Sequence, residues 1–260
     1  MGGRKSIFIT GAGLGIGRET ALYFASKGWF VGLFDIVEEN ISSLAAEIGE
    51  ENCCHQVMDV TDIDSVRAAT ESFGNAAGGR MDVLFNNAGI LSMGPHYKIP
   101  LESQTKIVDV NINGILNCIH AGFDLLAGTP SSRIINMSSA SSLYGTPELA
   151  VYSATKFAVC GLTEALNIEF EPHDIVVSDI LAMYVKTPMI LDAEVQAKSV
   201  GMLGIRTMPE DVAKVVWKAA HGRRVHRHVG WFLKILVFVT WAFPFTNKAA
   251  TKFLSFSPEK

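Results

Sequence analysis

The sequence has little basic charge, few cysteines and no low-complexity linker. It contains 22 Lys and Arg against 26 Asp and Glu, a formal net charge of −4, so its composition offers no broad positive surface for a nucleic-acid backbone. Its four cysteines match neither the spacing of a zinc site nor a disulfide framework, which favours a reducing compartment. A strand-like run from Lys5 leaves no room for a signal peptide. We therefore predict a cytoplasmic protein without a nucleic-acid partner or a metal.

Apolar strand-like runs alternate with longer stretches of helical spacing. Hydrophobic residues make up 48% of the chain and charged residues 18%, which is a globular composition. Apolar strands separated by helices predict an α/β fold, a parallel sheet with helices on both faces, in a single domain over 1–260. The strand candidates are 6–10, 30–35, 55–60, 83–87, 133–139 and 175–181. The helix candidates are 16–26, 38–48, 63–73, 101–126 and 152–170.

Three glycines, Gly11, Gly15 and Gly17, lie between the first strand candidate and a helix. Glycine permits a tight turn there and lets the backbone approach a pyrophosphate, which the free N–H groups at the helix start would bind. A tight turn without a ligand is the alternative, but this spacing between a strand and a helix favours a dinucleotide. We expect Leu14 and Ile16 of the same loop to lie beside the cofactor.

Asp35 ends the second strand candidate, 18 residues beyond Gly17. An acid at that place accepts hydrogen bonds from the adenosine ribose and repels a 2′-phosphate. No arginine follows it, and Leu14 in the glycine loop is not basic. The sequence therefore predicts NAD rather than NADP, with a solvated aspartate at a strand end as the alternative.

Tyr152 and Lys156 lie four residues apart in a helix-like segment, YSATK, and so share one helix face. Taken alone, this spacing fits ordinary packing of a tyrosine and a lysine. A second interpretation depends on the other motifs of the chain, because a cation beside a phenol also lowers the pKa of that phenol.

Together these motifs resemble the short-chain dehydrogenase/reductase family over about residues 5–220. Six separated elements occur in the family's order: the glycine loop (10–17), Asp35, the pair Asp59–Val60, NNAG (86–89), an asparagine in VNING (110–114), and Ser139 followed by YxxxK. The resemblance implies a doubly wound parallel sheet of the Rossmann type. It also implies hydride transfer between a nicotinamide and an alcohol or ketone.

The same resemblance implies which residues bind the cofactor. Asp59 and Val60 would contact adenine, and the NNAG residues would lie along the cofactor and brace the central strand. Beyond the glycine loop and Asp35, the cofactor-binding residues implied are Asp59, Val60, Asn87, Ala88, Gly89, Tyr152, Lys156, Val185 and Thr187.

Four residues carry the catalytic roles that the resemblance implies. Tyr152 would act as general base and acid, and Asn111 would sit in a disturbed helix that holds a water in a proton relay. Ser139, thirteen residues before the tyrosine, would orient the substrate oxygen, with Ser138 and Ser141 as alternatives. Lys156 would hold the nicotinamide ribose and, together with the positive nicotinamide ring, lower the pKa of Tyr152 from about 10 towards neutrality.

The stretch after the sixth strand candidate departs from the family pattern. The family usually has a Pro-Gly pair beside the nicotinamide, and this sequence has Ala182 and Met183 there. Losing both residues removes a preset turn and puts a side chain near the ring. The departure keeps open a non-catalytic alternative, an NAD(H)-sensing or partner-binding protein of the same fold. A nucleotide-sugar epimerase or dehydratase is a further enzymatic alternative, but the chain is too short for a separate substrate domain.

The segments that would line a substrate pocket are mostly apolar. They favour a lipophilic alcohol or ketone, although apolar residues also line ordinary loops and cores. The substrate candidates are Leu91, Ser141, Leu143, Tyr144 and Met189.

The C-terminal part, 221–260, is an unusual extension. A basic run at 221–228 precedes a 17-residue apolar run at 229–245 that contains Lys234 and Pro244. Three interpretations are open: a helix packed on the domain as a lid or dimer cover, an interfacial contact with a membrane through 221–245, and a membrane span. By resemblance, the helices carrying Asn111 and Tyr152 form a dimer, so we expect a homodimer or homotetramer.

Overall fold

The computed structural model describes residues 3–255 and contains one parallel sheet of seven strands. The strands are β1 (Ser6–Thr10), β2 (Phe30–Asp35), β3 (Cys53–Val57), β4 (Val83–Asn86), β5 (Arg133–Met137), β6 (Val176–Leu181) and β7 (His226–His228). Their order across the sheet is β3-β2-β1-β4-β5-β6-β7. The strand order reverses at β1, which pairs with β2 on one side and β4 on the other. Open sheets of this kind bind ligands beyond the strand ends at such a reversal.

Helices flank the sheet, so the predicted doubly wound α/β architecture is confirmed. They are α1 (Gly15–Ser26), α2 (Glu38–Ile48), α3 (Ile63–Ala76), α4 (Leu101–Val108), α5 (Gly114–Ala127), α6 (Ala150–Glu169), α7 (Pro188–Leu191), α8 (Lys198–Leu203), α9 (Pro209–Ala220), α10 (Trp231–Ala242) and α11 (Asn247–Ser255).

Several helices begin at residues suited to a helix start. The Asp62 side chain caps α3 by accepting the Asp64 N–H at 3.0 Å. Pro209 occupies the first turn of α9, where its missing N–H costs nothing. By contrast, no side chain caps α1, so the N–H groups of its first turn face the end of the sheet without a competing partner.

A separate hydrophobic core fills each face of the sheet. On one face, Phe24, Trp29 and Trp217 meet edge to face between α1, β2 and α9. On the other face, Phe8 stacks on Phe34 with ring centroids 4.0 Å apart. Buried aromatic clusters on both faces hold the strands in position. The carboxyl ends of the strands therefore form a rigid edge of the sheet.

Beyond shifts of one to three residues at several element ends, the structure differs from the sequence prediction in three places. The third strand covers 53–57 rather than 55–60. The helix predicted over 101–126 is broken by a π-helical turn at Asp109–Asn113, because apolar spacing continues through a turn that has one extra residue. The short strand β7 lies in the basic run and was not predicted, since His226–His228 has no strand-like apolar pattern.

The C-terminal extension continues from the sheet edge. β7 pairs with β6, and α10 and α11 follow it with a break at Pro244. The structure contains no helix between residues 3 and 255 that is both long and apolar enough to cross a bilayer.

Candidate active site

A cavity of about 820 Å³ opens at the carboxyl edge of the sheet. Its walls extend from the glycine loop and Asp35 at one end to Ser139, Tyr152 and Lys156 near the other. The strands that end there are β1, β2, β3, β4, β5 and β6, so residues far apart in sequence meet in one space. The cavity thus brings together most of the residues that the sequence motifs pointed to.

The glycine loop has the backbone that glycine allows. Gly11 and Gly15 have positive φ angles of 64° and 55°, where a side chain would be strained. A Cβ on Gly17 would lie 2.0 Å from the Gly11 carbonyl oxygen, so this glycine permits close contact between α1 and β1. Gly11, Leu14, Gly15 and Ile16 line the cavity, whereas Gly17 does not. The structure shows that Gly17 has a packing role, and its predicted contact with the cofactor stays a prediction.

Asp35 faces the glycine loop from the end of β2. Its carboxylate accepts the Gly13 N–H at 2.9 Å and the Val37 N–H at 3.2 Å, one on each oxygen. A carboxylate has further lone pairs on both oxygens, so these contacts orient the group without saturating it. The side chain lines the cavity.

The segments after β3 and β4 complete this end of the cavity. Asp59 is exposed, and its side chain accepts the Thr61 N–H at 2.9 Å, while Val60 is buried beside it. After β4, the Asn87 Nδ2 donates to the carbonyl oxygens of Thr10 and Gly11 at 3.0 and 2.9 Å. Asn87, with Ala88 and Gly89, therefore ties the two central strand ends together along the cavity wall.

Ser139, Tyr152 and Lys156 converge at the far end. Ser139 follows β5, and its Oγ accepts the Ser141 N–H at 3.2 Å. Burial raises the pKa of Tyr152 to about 12, and a hydrogen bond with Ser139 opposes that rise. Ser138, the alternative serine, instead contacts the Lys156 carbonyl oxygen at 3.4 Å and the Cys160 Sγ at 3.3 Å.

Lys156 is buried and held by a backbone carbonyl. Its Nζ donates to the Met137 carbonyl oxygen at 2.8 Å and lies 5.4 Å from the centroid of the Tyr152 ring. Burial lowers the pKa of Lys156 to about 8. Burial was left out of the predicted lowering of the Tyr152 pKa, which depends on Lys156 together with a bound nicotinamide ring and stays a prediction.

Asn111 is fully buried in the π-helical turn between α4 and α5. Its Oδ1 accepts the Ile90 N–H at 2.9 Å, and its Nδ2 donates to the Ile90 carbonyl oxygen at 3.0 Å and to Thr155 Oγ1 at 3.2 Å. The side chain thus joins the turn to the segment after NNAG and to α6. Asn111 does not itself line the cavity, although Asp109, Val110 and Asn113 of the same turn do.

The segment after β6 lies opposite the glycine loop. The Ala182 carbonyl oxygen accepts the Ala140 N–H at 2.8 Å, so the departure from the family pattern leaves this segment attached to the serine loop. Val185 and Thr187 are buried and line the cavity. A side chain at Gly15 would meet the Thr187 methyl group, which shows how closely the two segments approach.

The predicted substrate residues lie on the cavity wall beyond Tyr152. All five line it: Leu91, Ser141, Leu143, Tyr144 and Met189. The sequence analysis missed Tyr184, whose hydroxyl lies 2.7 Å from Ser199 Oγ at this end. The wall formed by α10 and α11 agrees with the lid interpretation of the extension, but its residues were not predicted: Leu236, Thr240, Asn247, Ala250 and Thr251. The helical spacing of Leu236 and Thr240 was a usable signal, since both lie on one face of α10.

A second group of titratable side chains lies away from the cavity. Cys160, Asp179 and His226 bring ligand-type atoms within 4.8 Å of one another in the described part of the chain. The His226 Nδ1 lies 3.0 Å from the buried Asp179 carboxylate, and its Nε2 lies 3.2 Å from Glu164. The hydrogen bond with Asp179 raises the pKa of His226. This pair joins β7 to β6.

Comparison with known proteins decides the family. The sequence pattern described as short chain dehydrogenase matches residues 5–197. The chain belongs to the short-chain dehydrogenase family. It is therefore an oxidoreductase by family, and the resemblance carried by its motifs is confirmed.

Individual members of the short-chain dehydrogenase family are similar over most of the chain. Cyclohexanol dehydrogenase of Acinetobacter sp. (strain SE19) is 32% identical over 220 residues, which cover 82% of this chain and 86% of that protein. A 3-ketoacyl-(acyl-carrier-protein) reductase from Brucella melitensis, solved with NADH, has a TM-score of 0.78 and 28% identity, covering 87% and 97%. A gluconate 5-dehydrogenase from Burkholderia cenocepacia J2315, solved with NADP and tartrate, has a TM-score of 0.80 and 26% identity, covering 90% and 96%.

Proposed function

We propose that this short-chain dehydrogenase transfers hydride between NAD(H) and a lipophilic secondary alcohol or ketone. The observation that carries the proposal is the convergence of Ser139, Tyr152 and Lys156 on a cavity that continues to the glycine loop. Such a reaction needs a proton-transferring side chain and a dinucleotide-binding loop that line the same cavity.

The residues at the glycine-loop end fit a dinucleotide. The uncapped start of α1 offers backbone N–H groups to a pyrophosphate, and a side chain at Gly15 would be strained and would meet Thr187. We propose that Asp35 holds the adenosine ribose, Asp59 and Val60 the adenine, and Val185 and Thr187 the carboxamide. Related structures contain NADH in one case and NADP in another, so the preference for NAD depends on the Asp35 charge.

Tyr152 is proposed to exchange the proton of the substrate oxygen. When bound, the nicotinamide supplies or accepts the hydride. With a pKa of about 12, Tyr152 carries its proton at neutral pH and can donate it to a ketone oxygen at once. The reverse reaction requires the phenolate, so alcohol oxidation gains from rising pH. Ser139, bonded to the same hydroxyl, would orient the substrate oxygen.

Lys156 and Asn111 are proposed to support Tyr152. The Lys156 ammonium donates to the Met137 carbonyl and lies near the phenol, and its two remaining N–H groups would bind a ribose hydroxyl. As a cation, it offsets part of the cost of the buried phenolate when the proton leaves. The π-helical turn at Asn111 leaves backbone groups outside regular helical bonding, which suits a bound water in a proton relay.

The lipophilic substrate class follows from the wall beyond Tyr152. Leu91, Leu143 and Met189, with Leu236 from α10, present mostly apolar surface. The similarity to a cyclohexanol dehydrogenase supports an apolar secondary alcohol.

We also propose a homodimer or homotetramer, formed in part by α5 and α6. Apolar side chains are exposed on these helices at Leu116, Phe157 and Ile168. In the same proposal, 1–260 is a single domain whose extension at 221–260 packs on it, and the protein is cytoplasmic with peripheral membrane contact through 221–245.

Replacing Tyr152 tests the proposed chemistry. We expect Tyr152→Phe to lower kcat for a secondary-alcohol substrate by about 10³-fold, because the proton-transferring hydroxyl is removed. NADH affinity, followed by fluorescence titration, should change by less than about threefold, because the phenyl ring still packs. Tyr23→Phe, which removes a hydroxyl outside the cavity, is the control and should keep wild-type turnover.

Two outcomes would contradict the proposal. Near-normal turnover in Tyr152→Phe would remove the tyrosine from the mechanism. Wild-type protein that binds NADH but turns over no alcohol or ketone in a broad panel would favour the NAD(H)-sensing alternative, which the Ala182–Met183 departure keeps open.

A further inference from the structure

The C-terminal extension carries most of the exposed aromatic surface of the molecule. Seven of the eight exposed Trp and Phe side chains in the described residues lie between Trp231 and Phe253. They are Trp231, Phe232, Phe238, Trp241, Phe243, Phe245 and Phe253. An apolar patch of this kind marks a site of interaction, since folded proteins seldom expose such residues together.

The two faces of α10 have different surroundings. Leu233 is buried, and Leu236 and Thr240 line the active-site cavity. The opposite side exposes Trp231, Ile235 and Phe238 one helical turn apart, with Trp241 78% exposed at the C-terminal end. We call this exposed side, together with the aromatic residues up to Phe253, the outer face. The same helix therefore forms both a wall of the cavity and an apolar surface.

The charge of the extension is opposite to that of the whole chain. Residues 221–260 contain seven Lys and Arg and one acidic residue, in a chain whose net charge is −4. Arg223, Arg224, Lys234, Lys248 and Lys252 are exposed. Lys234 is the single charged residue in α10, and Lys248 and Lys252 lie in α11. Aromatic side chains bordered by exposed lysines and arginines are complementary to a bilayer surface with anionic headgroups.

The length of α10 suits a helix that lies along a membrane. Twelve residues at 1.5 Å each make a helix of about 18 Å, against a hydrocarbon core of about 30 Å. Tryptophan side chains sit at the headgroup level of bilayers, and α10 has one near each end.

We propose that the outer face of α10 and α11 docks on an anionic lipid surface. With its inner side on the cavity, α10 then separates the bilayer from the active site by only its own width, about 10 Å. A substrate dissolved in the bilayer has a short route past this helix to Tyr152. Membrane docking needs only the outer face and does not depend on the proposed catalysis. The delivery of substrate rests on the proposed function.

Vesicle flotation of the purified full-length protein tests the docking. The probes are vesicles of phosphatidylcholine alone and of phosphatidylcholine with about one quarter phosphatidylglycerol. We expect flotation with the anionic vesicles, at least about fivefold weaker binding to the neutral ones, and a similar loss in about 0.5 M salt, which screens the charges. Flotation needs no turnover, so its failure is distinct from failure of the proposed chemistry.

Two sets of variants separate the aromatic and charged contributions. We expect Trp231→Ser with Phe238→Ser and Trp241→Ser to weaken vesicle binding at least about tenfold. Lys234→Glu with Lys248→Glu and Lys252→Glu should abolish the preference for anionic vesicles. Tyr97→Ser, which removes an aromatic residue that is 84% exposed elsewhere, is the matched control and should bind like wild type.

Three results would overturn the docking proposal. One is wild-type protein that floats with neither vesicle, and another is an aromatic variant that binds as wild type does. The third is a fall in molecular mass of the aromatic variant in analytical ultracentrifugation without any flotation of the wild type, which would make the outer face an interface between copies of this chain. A circular-dichroism melt checks folding, and the charge variants test the proposal even if the aromatic variant unfolds.

Discussion

The cofactor side of the cavity is built from backbone and short polar side chains, whereas the substrate side is built from apolar side chains on loops and C-terminal helices. On the cofactor side, positive φ angles at Gly11 and Gly15 and the hydrogen bonds of Asp35 and Asn87 set the shape. On the substrate side, Leu143, Met189 and Leu236 come from segments with little hydrogen bonding between them. The first side tolerates few residue types at each position, and the second tolerates any apolar residue of suitable size.

The largest effect is expected from a methyl group at Gly17. In Gly17→Ala the new Cβ would lie 2.0 Å from the Gly11 carbonyl oxygen, so the backbone of the loop must move. We expect the free energy of unfolding to fall by about 3 kcal/mol and the melting midpoint by about 6–12 °C. NADH affinity should fall at least about tenfold, because the loop is displaced. Thermal denaturation and fluorescence titration measure the two changes.

Gly201→Ala is the control for that variant. Nothing lies within 4 Å of a Cβ at Gly201, in the short helix α8. Its NADH affinity should stay at the wild-type level, and its free energy of unfolding should stay the same or rise by about 0.5–1 kcal/mol, because alanine favours a helix more than glycine does. Equal behaviour of the two alanine variants would show that the glycine loop is less constrained than its geometry indicates.

A smaller effect is expected at Asp35. Asp35→Ser removes the charge proposed to hold the ribose and repel a 2′-phosphate. The ratio of NADH to NADPH affinity should fall about 30-fold, or about 2 kcal/mol. Asp35→Asn keeps a carbonyl acceptor without the charge, so comparing the two separates repulsion from hydrogen bonding. An unchanged ratio in both would mean that Asp35 does not select the cofactor.

On the substrate side, Leu236→Ala should act on substrate but not on cofactor. The smaller side chain removes apolar contact that contributes about 1 kcal/mol to the free energy of substrate binding. The KM for a bulky apolar alcohol should therefore rise about fivefold, while NADH affinity stays constant. Ile235→Ala, the neighbouring change on the outer face, is the control and should leave KM unchanged in detergent-free buffer. If both variants raise KM equally, α10 is not a wall of the substrate site.

The smallest effect is expected away from both sides of the cavity, at the hydrogen bond between His226 of β7 and Asp179 of β6. This bond raises the pKa of His226 above its ordinary value of 6.5. Its contribution to stability is complete below that value and is lost as the pH rises through the pKa of the folded protein. The melting midpoint of the wild type should therefore fall about 2 °C more between pH 6 and pH 8.5 than that of His226→Gln. If the melting midpoints of the two proteins change in parallel with pH, the hydrogen bond between His226 and Asp179 does not contribute to stability.

The sequence predicted the cofactor side better than the substrate side for a physical reason. Backbone that bends at Gly11 or accepts close packing at Gly17 needs glycine, so the residue type reports the geometry. Strand β2 was predicted with its observed bounds, since its apolar run is bordered by a glycine and a loop. Gly17 was assigned to the cofactor because its role in packing α1 against β1 is visible only in three dimensions.

The missed features share a dependence on tertiary contacts. The disturbed helix at Asn111 was implied by the resemblance alone, because the π-helical turn leaves the apolar spacing of 101–126 intact. Strand β7 was missed because it is a basic segment, held to β6 by pairing and by the contact of His226 with Asp179. The pKa of Tyr152 depends on burial and on the hydrogen bond with Ser139, neither of which the YxxxK spacing reveals. The inner face of α10 has the same apolar character as its outer face, so hydropathy alone did not separate a cavity wall from an exposed surface.

The position of α10 and α11 at the chain end affects the order in which the protein is made. The proposed cofactor-binding residues are complete once Thr187 has left the ribosome, and the helices that close the cavity are synthesised later. Chains are made at about 5–20 residues per second, so the roughly 50 residues from Thr187 to the end of α10 leave several seconds in which the first six strands are available without this wall. During that interval a dinucleotide could bind the nascent sheet and stabilise it, and the apolar helices would then fold onto an already ordered surface.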